Sequence, residues 1–156
     1  MFSLTKKTDY ALIALCYLAE RPHVVVSARE IAERFGMPPA LVMNVMKSMH
    51  HGKLLVSTRG TKGGYRLIAD LGKVSVHDLI LVLEGPIRLA ECIILDGECK
   101  GKASCKISRG CPIQAPIRTL HGRLVSFLRD VRLSEIVRTI ARASAHAQQG
   151  AVAATN

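Results

Sequence analysis

The pattern that most restricts the fold is a pair of short helical segments in the first half of the chain. Ser27-x-x-Glu30 is a capping box, which starts a helix, and Gly36 is a residue type that ends one. Pro38 and Pro39 suit the first turn of the next helix. This order predicts two helices joined by a glycine-containing turn, which is a helix-turn-helix motif.

The second of these helices, residues 38–51, is predicted to have two different faces. Its apolar residues fall on one face at helical spacing, namely Leu41, Val42, Val45, Met46 and Met49. Residues 54–59 and 65–68 then predict two strands joined by the glycine-rich turn 60–64. The pattern as a whole predicts a winged helix-turn-helix, in which the hairpin is the wing.

Two further helices are predicted around this motif. Residues 10–19 are almost continuously apolar and predict a buried helix, with Cys16 packed in the core. Ser75-x-x-Asp78 caps another helix, and Gly85-Pro86 ends it.

The longest predicted helix, residues 113–131, has an apolar stripe at spacings of three and four: Ile117, Leu120, Leu124, Phe127, Leu128 and Val131. Such a stripe packs in a core or forms a dimer seam, and the pattern leaves both open. Ser134 is predicted to cap a short last helix to about residue 145. The small, polar tail 146–156 is predicted to be disordered.

The sequence therefore predicts a mainly helical protein with a small β-hairpin wing, divided into four parts. Residues 1–84 form the winged helix-turn-helix domain, and 85–112 form a cysteine-rich loop. Residues 113–145 hold the long helix, a candidate dimerisation helix, and the short last one, before the tail.

The charge balance indicates a polyanionic partner. Lys and Arg outnumber Asp and Glu by 22 to 12, for a formal net charge of +10. Double-stranded DNA is the first candidate and an anionic membrane the second. No apolar run reaches the roughly 18–20 residues of a membrane span, and no signal peptide is evident. We therefore expect a cytoplasmic protein without a membrane partner. No nucleophile–base pair indicates an enzyme, and no small-molecule substrate is expected.

The predicted DNA-binding surface combines the polar face of helix 38–51 with the wing. Asn44 and Lys47 are placed to reach base edges, and Ser48 a phosphate. Arg59 and Lys62 would meet the backbone or the minor groove. The surface is completed by Ala40, Met43, Gly63 and Gly64. The alternative is an ordinary solvated helix face.

Three cysteines, Cys99, Cys105 and Cys111, repeat as C-x5-C-x5-C in a glycine-rich basic loop, and Cys92 lies just upstream. Several thiolates on one loop can bind Zn²⁺ or an iron–sulfur cluster. Structural zinc usually shows closer cysteine pairs, and a disulfide fits a reducing compartment poorly. A cluster tolerates one ligand that is not a thiolate, so three cysteines leave a place for a fourth group.

These segments resemble the IscR/NsrR/RirA (Rrf) family of bacterial winged-helix regulators over about residues 3–138. The resemblance rests on LTKKTDYAL, on REIAERFGMPPALVMNVMKSMHHGKLLVSTRGTKGGYRL and on the three-cysteine loop. It implies a homodimer that binds a palindromic operator, with the long C-terminal helix as the dimer seam. It also implies an iron–sulfur cluster in each subunit, held by Cys99, Cys105 and Cys111.

The fourth ligand separates the subgroups that the chain resembles. IscR-like members have a histidine three residues after the third cysteine, where this chain has Gln114, a poor ligand. NsrR-like members use an aspartate near the start of the first helix, reaching across from the partner subunit; the matching residue is Asp9. RirA-like members carry a cysteine near the position of Cys92, which is the alternative. A set of three cysteines plus Asp9 implies a 4Fe–4S cluster, with 2Fe–2S as the second option.

The expected function is thus cluster-dependent regulation of transcription, and repression is favoured over activation. The signal would be nitric oxide, iron or cluster supply, or oxidative stress. The alternative is a winged-helix protein that binds DNA constitutively, or one whose cysteines serve thiol or zinc chemistry without a cluster.

Overall fold

The computed structural model describes residues 4–60, 63–90, 93 and 111–139. It contains the helices α1 (Lys6–Ala19), α2 (Ala28–Phe35), α3 (Pro39–His51), α4 (Val76–Glu84) and α5 (Gln114–Asp130), and the strands β1 (Leu55–Thr58) and β2 (Gly64–Leu67). The predicted fold class is confirmed. Some predicted features lie outside the described residues: Lys62, Cys92, Cys99, Cys105 and the tail 146–156.

The core is formed by the inward faces of α1, α2, α3 and α4. Its fully buried large side chains include Leu15, Leu18, Ile31, Met46, Met49 and Leu79. Cys16 also lies in this core, as predicted, and is 7% exposed. Burial raises the pKa of its thiol to about 11, and the nearby charge of Glu20 adds to the rise. A thiol that stays protonated is a poor nucleophile and a poor metal ligand, so this cysteine is a packing residue.

The sequence signals that start and end α2 have their expected roles, with one correction. The Ser27 hydroxyl accepts a hydrogen bond from the Glu30 N–H at 3.0 Å, and Gly36 ends the helix with a left-handed φ of 62°. The predicted capping box is only half formed, because the Glu30 carboxylate instead accepts from the Tyr17 hydroxyl at 2.9 Å. Phe35, the last residue of α2, is 44% exposed, and its ring meets that of Tyr17 edge-on.

Two predicted helix starts were wrong. The first helix begins at Lys6 and not at Tyr10, because the Thr5 hydroxyl accepts from the Lys7 N–H and caps the polar first turn. The last helical segment begins at 133, so Ser134 lies inside it and does not cap it. The start of this segment is held by Glu135 instead, whose carboxylate accepts a hydrogen bond from the Arg132 N–H at 3.2 Å.

The wing is a two-stranded antiparallel hairpin that faces α3. Leu55 pairs with Leu67 and Ser57 with Tyr65, so these four side chains lie on one face of the hairpin. Leu55 is fully buried, which identifies this face as the one turned toward the core. The hairpin gains a third segment where Val26 forms an isolated bridge with Tyr65.

Helix α5 packs against α4 by a narrow strip and leaves much of its apolar surface uncovered. Leu128 is the buried residue of this helix. In contrast, Ile113, Leu120 and Phe127 are 60%, 55% and 63% exposed. Of the predicted stripe, Leu128 therefore packs in the core of its own chain, whereas Leu120 and Phe127 do not.

Candidate nucleic-acid interface

The structure places the predicted recognition residues on one exposed face of α3. Ala40, Met43, Asn44 and Lys47 are exposed, and Ser48 is half-buried. The opposite face of the helix holds four buried residues: Val42, Val45, Met46 and Met49. Burial of one face fixes the rotation of α3 about its axis, and so determines which side chains are available to a ligand.

The turn between α2 and α3 sets the angle at which α3 is presented. Gly36 adopts the left-handed conformation, and the N–H of the next residue, Met37, donates to the Ala32 carbonyl at 2.9 Å. Met37 is itself buried, and it anchors the turn to the core. Pro39 then occupies the first turn of α3, where no backbone N–H is needed.

The second strand of the wing, β2, begins where two glycines come close to neighbouring backbone. A Cβ on Gly63 would lie 2.5 Å from the Thr58 carbonyl oxygen, and one on Gly64 would lie 2.5 Å from that of Val26. A side chain at either position would push this neighbouring backbone away. The Gly63 N–H also closes the turn by donating to the Gly60 carbonyl at 2.9 Å.

Basic groups near the wing tip are only partly within the described residues. Arg59 directly follows β1 and is exposed, as expected of a residue that meets a phosphate. Lys62 lies outside the described residues, so its predicted role stays a prediction.

Three residues that tie the wing to the rest of the domain were missed by sequence reasoning. Val26 and Tyr65 exchange two backbone hydrogen bonds of 2.8 and 2.9 Å. The Tyr65 hydroxyl lies 3.9 Å from the Met43 sulfur on the exposed face of α3. His50 bonds to β1 through both ring nitrogens. No local signal announces these contacts, because each one joins elements that are separate in sequence.

The predicted cluster ligands are only partly described. Cys111 is a half-buried free thiol, and its carbonyl accepts from the Gln114 N–H at 3.3 Å at the start of α5. Asp9 lies exposed in the first turn of α1, and among the described residues its carboxylate has no ion pair or hydrogen bond. Within the described ranges, no group of three His, Cys, Asp or Glu side chains is placed to hold a metal ion. Three of the predicted ligands, Cys92, Cys99 and Cys105, lie outside those ranges. The donor chemistry of Cys111 and Asp9 fits the predicted cluster, and the ligand set stays a prediction.

A small groove lies where α1 begins and where the chain leaves α4. It has a volume of about 140 Å³ and is lined by Leu4, Thr5, Thr8, Ile80 and residues 84–88. The Thr5 hydroxyl donates to the Glu84 carboxylate across it. This contact joins the first turn of α1, which carries Asp9, to the segment that enters the cysteine loop.

His121 on α5 is engaged elsewhere. Its Nε2 lies 2.9 Å from the Ile87 carbonyl oxygen, so this ring helps to hold α5 against the segment that follows α4.

Within the described residues, no helix is both long and apolar enough to cross a membrane.

These elements define a winged helix-turn-helix protein. The chain matches the Rrf2 family, described as an iron-dependent transcriptional regulator, over residues 4–139, and it belongs to this family. It is therefore a DNA-binding transcriptional regulator and not an enzyme.

Several relatives bear the name of one regulator. The chain is 28% identical to the HTH-type transcriptional regulator IscR of Vibrio atlanticus, over 86% of this chain and 75% of that protein. It is 29% identical to IscR of Cronobacter sakazakii, over 86% and 79%. It is also 24% identical to the protein aau3 of Rhizobium meliloti, over 86% and 84%.

Solved structures confirm the fold. CymR of B. subtilis, described as the global cysteine regulator, superposes with a TM-score of 0.65 at 21% identity, covering 89% of this chain and 98% of CymR. The IscR of T. potens superposes with a TM-score of 0.59 at 21% identity, covering 91% and 90%.

Proposed function

We propose that this protein is a homodimeric, cytoplasmic transcription factor, acting as a repressor, whose operator affinity depends on an iron–sulfur cluster. The observation that carries the proposal is the C-x5-C-x5-C repeat in a chain of the Rrf2 family. Cys99, Cys105 and Cys111 are the proposed thiolate ligands, and Asp9 is the proposed fourth ligand. Cys92 is the alternative to Asp9. A 4Fe–4S cluster is the preferred form and 2Fe–2S the second.

The proposed switch uses the position of the cysteine loop between α4 and α5. When bound, the cluster supplies iron that reacts with nitric oxide or oxidants, or that is lost when iron is scarce. Cys111 lies three residues before α5, and Asp9 lies in the first turn of α1. A change at these ligands would alter how α1 packs beside α4, where Thr5 meets Glu84. A coupling of about 1–3 kcal/mol would change operator affinity about 5- to 150-fold.

The proposed dimer seam is the uncovered stripe of α5. Ile113, Leu120 and Phe127 repeat every seven residues and are all exposed, and the half-buried Ile117 and Leu124 fall between them. Alternating spacings of four and three are the pattern of a two-helix seam. A second copy of α5 would cover this surface and place two α3 helices on successive turns of a palindromic duplex, about 34 Å apart.

On DNA, the exposed face of α3 would enter the major groove. Asn44 and Lys47 would read base edges, with Ala40 and Met43 in apolar contact, and Ser48 would bind a phosphate. The wing residues Arg59, Lys62, Gly63 and Gly64 would meet the neighbouring backbone.

Anaerobic purification tests the cluster. We expect a brown protein with bound iron and sulfide, and single Ala replacements of Cys99, Cys105 or Cys111 should abolish stable binding. Cys16→Ala is the matched control, because that thiol is buried in the core and should leave the cluster intact. Iron and sulfide at the wild-type level in any of the three loop variants would show that its ligand assignment is wrong. A colourless protein containing zinc would support the zinc-based alternative.

The fourth ligand is tested by Asp9→Ala, Cys92→Ala and Gln114→Ala, prepared side by side without oxygen. Asp9→Ala should change the visible spectrum and uncouple the cluster from operator affinity, while the thiolates retain iron. Gln114→Ala should have little effect. A wild-type spectrum in Asp9→Ala together with cluster loss in Cys92→Ala would assign the site to Cys92.

A further inference from the structure

His50, at the end of α3, makes contacts with the wing that its position in the sequence does not announce. Its Nδ1 lies 3.1 Å from the Leu55 carbonyl oxygen, and its Nε2 lies 3.3 Å from the Ser57 hydroxyl. The ring also lies against Tyr65 of β2, with centroids 6.3 Å apart. One side chain of the recognition helix thus contacts both strands of the wing.

The partners determine the tautomer of the neutral ring. A carbonyl oxygen only accepts, so Nδ1 must carry the proton that bonds to Leu55. In the neutral ring Nε2 is then unprotonated and accepts from the Ser57 hydroxyl. His50 and Ser57 are half-buried and exposed respectively, and the Leu55 carbonyl belongs to a fully buried residue. The arrangement therefore specifies the less common Nδ1–H tautomer.

The wing needs such support, because a hairpin of two four-residue strands is marginally stable by itself. At its base, the Ile68 and Ala69 N–H groups donate to the Leu54 carbonyl at 3.1 and 3.2 Å. Val26 pairs with Tyr65 along the outer edge of β2. Strand β1 is held to α3 by His50, and these contacts together leave the hairpin little freedom to rotate about its base.

We propose that His50 is a positioning residue for DNA recognition, which holds the wing at a fixed angle to α3. It acts through Leu55 and Ser57, so that the wing tip and the exposed face of α3 engage one duplex simultaneously. The inference rests on the proposed roles of α3 and the wing in DNA binding. It assigns to His50 a share of sequence specificity that its place behind the recognition face would not indicate.

Variants at His50 and Ser57 separate the two hydrogen bonds. His50→Ala removes both, Ser57→Ala removes only the bond to Nε2, and His50→Asn keeps an N–H near the position of Nδ1. His51→Ala is the matched control, since His51 is the next residue, is exposed, and has no hydrogen bond to the wing among the described residues. The probe is the duplex that the wild-type protein enriches from a random DNA pool.

We expect His50→Ala to lower affinity for the enriched duplex about tenfold, while affinity for random DNA changes less than about twofold. Hydroxyl-radical footprinting should show loss of protection where the wing lies, with major-groove protection retained. His50→Asn should recover most of the affinity, and His51→Ala should match the wild type. Wild-type affinity and footprint in His50→Ala would overturn the proposal. Equal losses on both DNAs would also overturn it, because they indicate a general structural effect.

A second measurement makes the result independent of DNA binding. The ¹⁵N imidazole spectrum should show the Nδ1–H tautomer for His50, and amide exchange of Tyr65 should accelerate in His50→Ala and slightly in Ser57→Ala. An Nε2–H tautomer, or unchanged exchange, would overturn the proposal even if affinities fall. If the wild-type protein enriches no sequence, the proposed function fails, and the spectrum and exchange rates still decide whether the contact exists.

Discussion

The region built from α1 to α4 and the region that follows it bury their apolar side chains to different extents. Helix α1 buries Ala11, Ala14, Leu15, Cys16 and Leu18 against its own chain, whereas α5, which is longer, buries only Leu128. Among the described residues, the most exposed large apolar side chain is Phe127, on α5, at 63%. The described part of the first region therefore holds most of the buried core, whereas α5 keeps an exposed apolar stripe that a second chain would cover in the proposed dimer.

The largest effect that sharpens this comparison concerns stability. Met46→Ala should lower the free energy of unfolding by about 2–5 kcal/mol, because Met46 is fully buried and the site cannot collapse freely. The loss should be the same at every protein concentration. Phe127→Ala should instead cost an amount that depends on concentration, since the proposed partner surface of Phe127 is a second chain. Urea unfolding at two protein concentrations measures both. A concentration-independent cost for Phe127→Ala would contradict the difference between the two regions.

The second effect concerns assembly. Leu120→Glu places a charge at the centre of the exposed stripe, and it should convert the protein to a monomer and weaken operator binding by about 2–4 kcal/mol. Ile68→Glu is the control for oligomeric state, because Ile68 is 52% exposed and lies beside the wing. Analytical ultracentrifugation distinguishes them. A dimer in Leu120→Glu would place the seam elsewhere.

The third effect separates two kinds of contact within the first region. Asn44→Ala should weaken operator binding by about 1–3 kcal/mol and leave random-sequence binding nearly unchanged, as expected for a base-edge contact. Arg59→Ala should weaken both equally and reduce the salt slope by about one unit, as expected for a phosphate contact. Equal losses on both DNAs for Asn44→Ala would remove it from the recognition face.

Local signals were enough to predict most of the first region. Ser27, Gly36 and Pro39 act on the backbone within a few residues of themselves, so their effects can be read from the sequence. One error came from tertiary competition, since the Tyr17 hydroxyl takes the Glu30 carboxylate. The other was local: the contact between the Arg132 N–H and the Glu135 carboxylate stands at the helix start where a cap by Ser134 was expected.

The candidate site was harder to predict for the same reason. The exposed face of α3 follows from helical periodicity, but the contacts of His50, Val26 and Tyr65 depend on how the hairpin folds back. The cysteine spacing predicts a metal site without indicating which further group completes it. The two proposed groups, Asp9 and Cys92, lie outside the three-cysteine repeat, so its spacing carries no information about them.

The smallest effect tests the place where the two regions meet, at the start of α4. Ser75 begins α4 with a complete capping box, and it also forms a bridge with Arg132 beyond α5. Its N–H and hydroxyl donate to the Asp78 carboxylate at 2.9 and 2.7 Å. Partial burial tends to raise the pKa of Asp78, but these hydrogen bonds outweigh it, and the net pKa lies below the usual value.

The sign of the pH dependence follows from that lowered pKa. A depressed carboxyl pKa stabilises the fold above the unfolded-state value, and this contribution is lost as pH falls through the folded-state value. Asp78→Asn should therefore cost about 0.5–1 kcal/mol at neutral pH, a modest figure because the side chain is half exposed to solvent. The difference from wild type should shrink below about pH 4. Asp130→Asn is the control, since Asp130 is exposed and has no ion pair among the described residues. Thermal unfolding at several pH values measures both variants. If the cost of Asp78→Asn stayed constant down to acid pH, the start of α4 would depend on the shape of the Asp78 side chain and not on its charge.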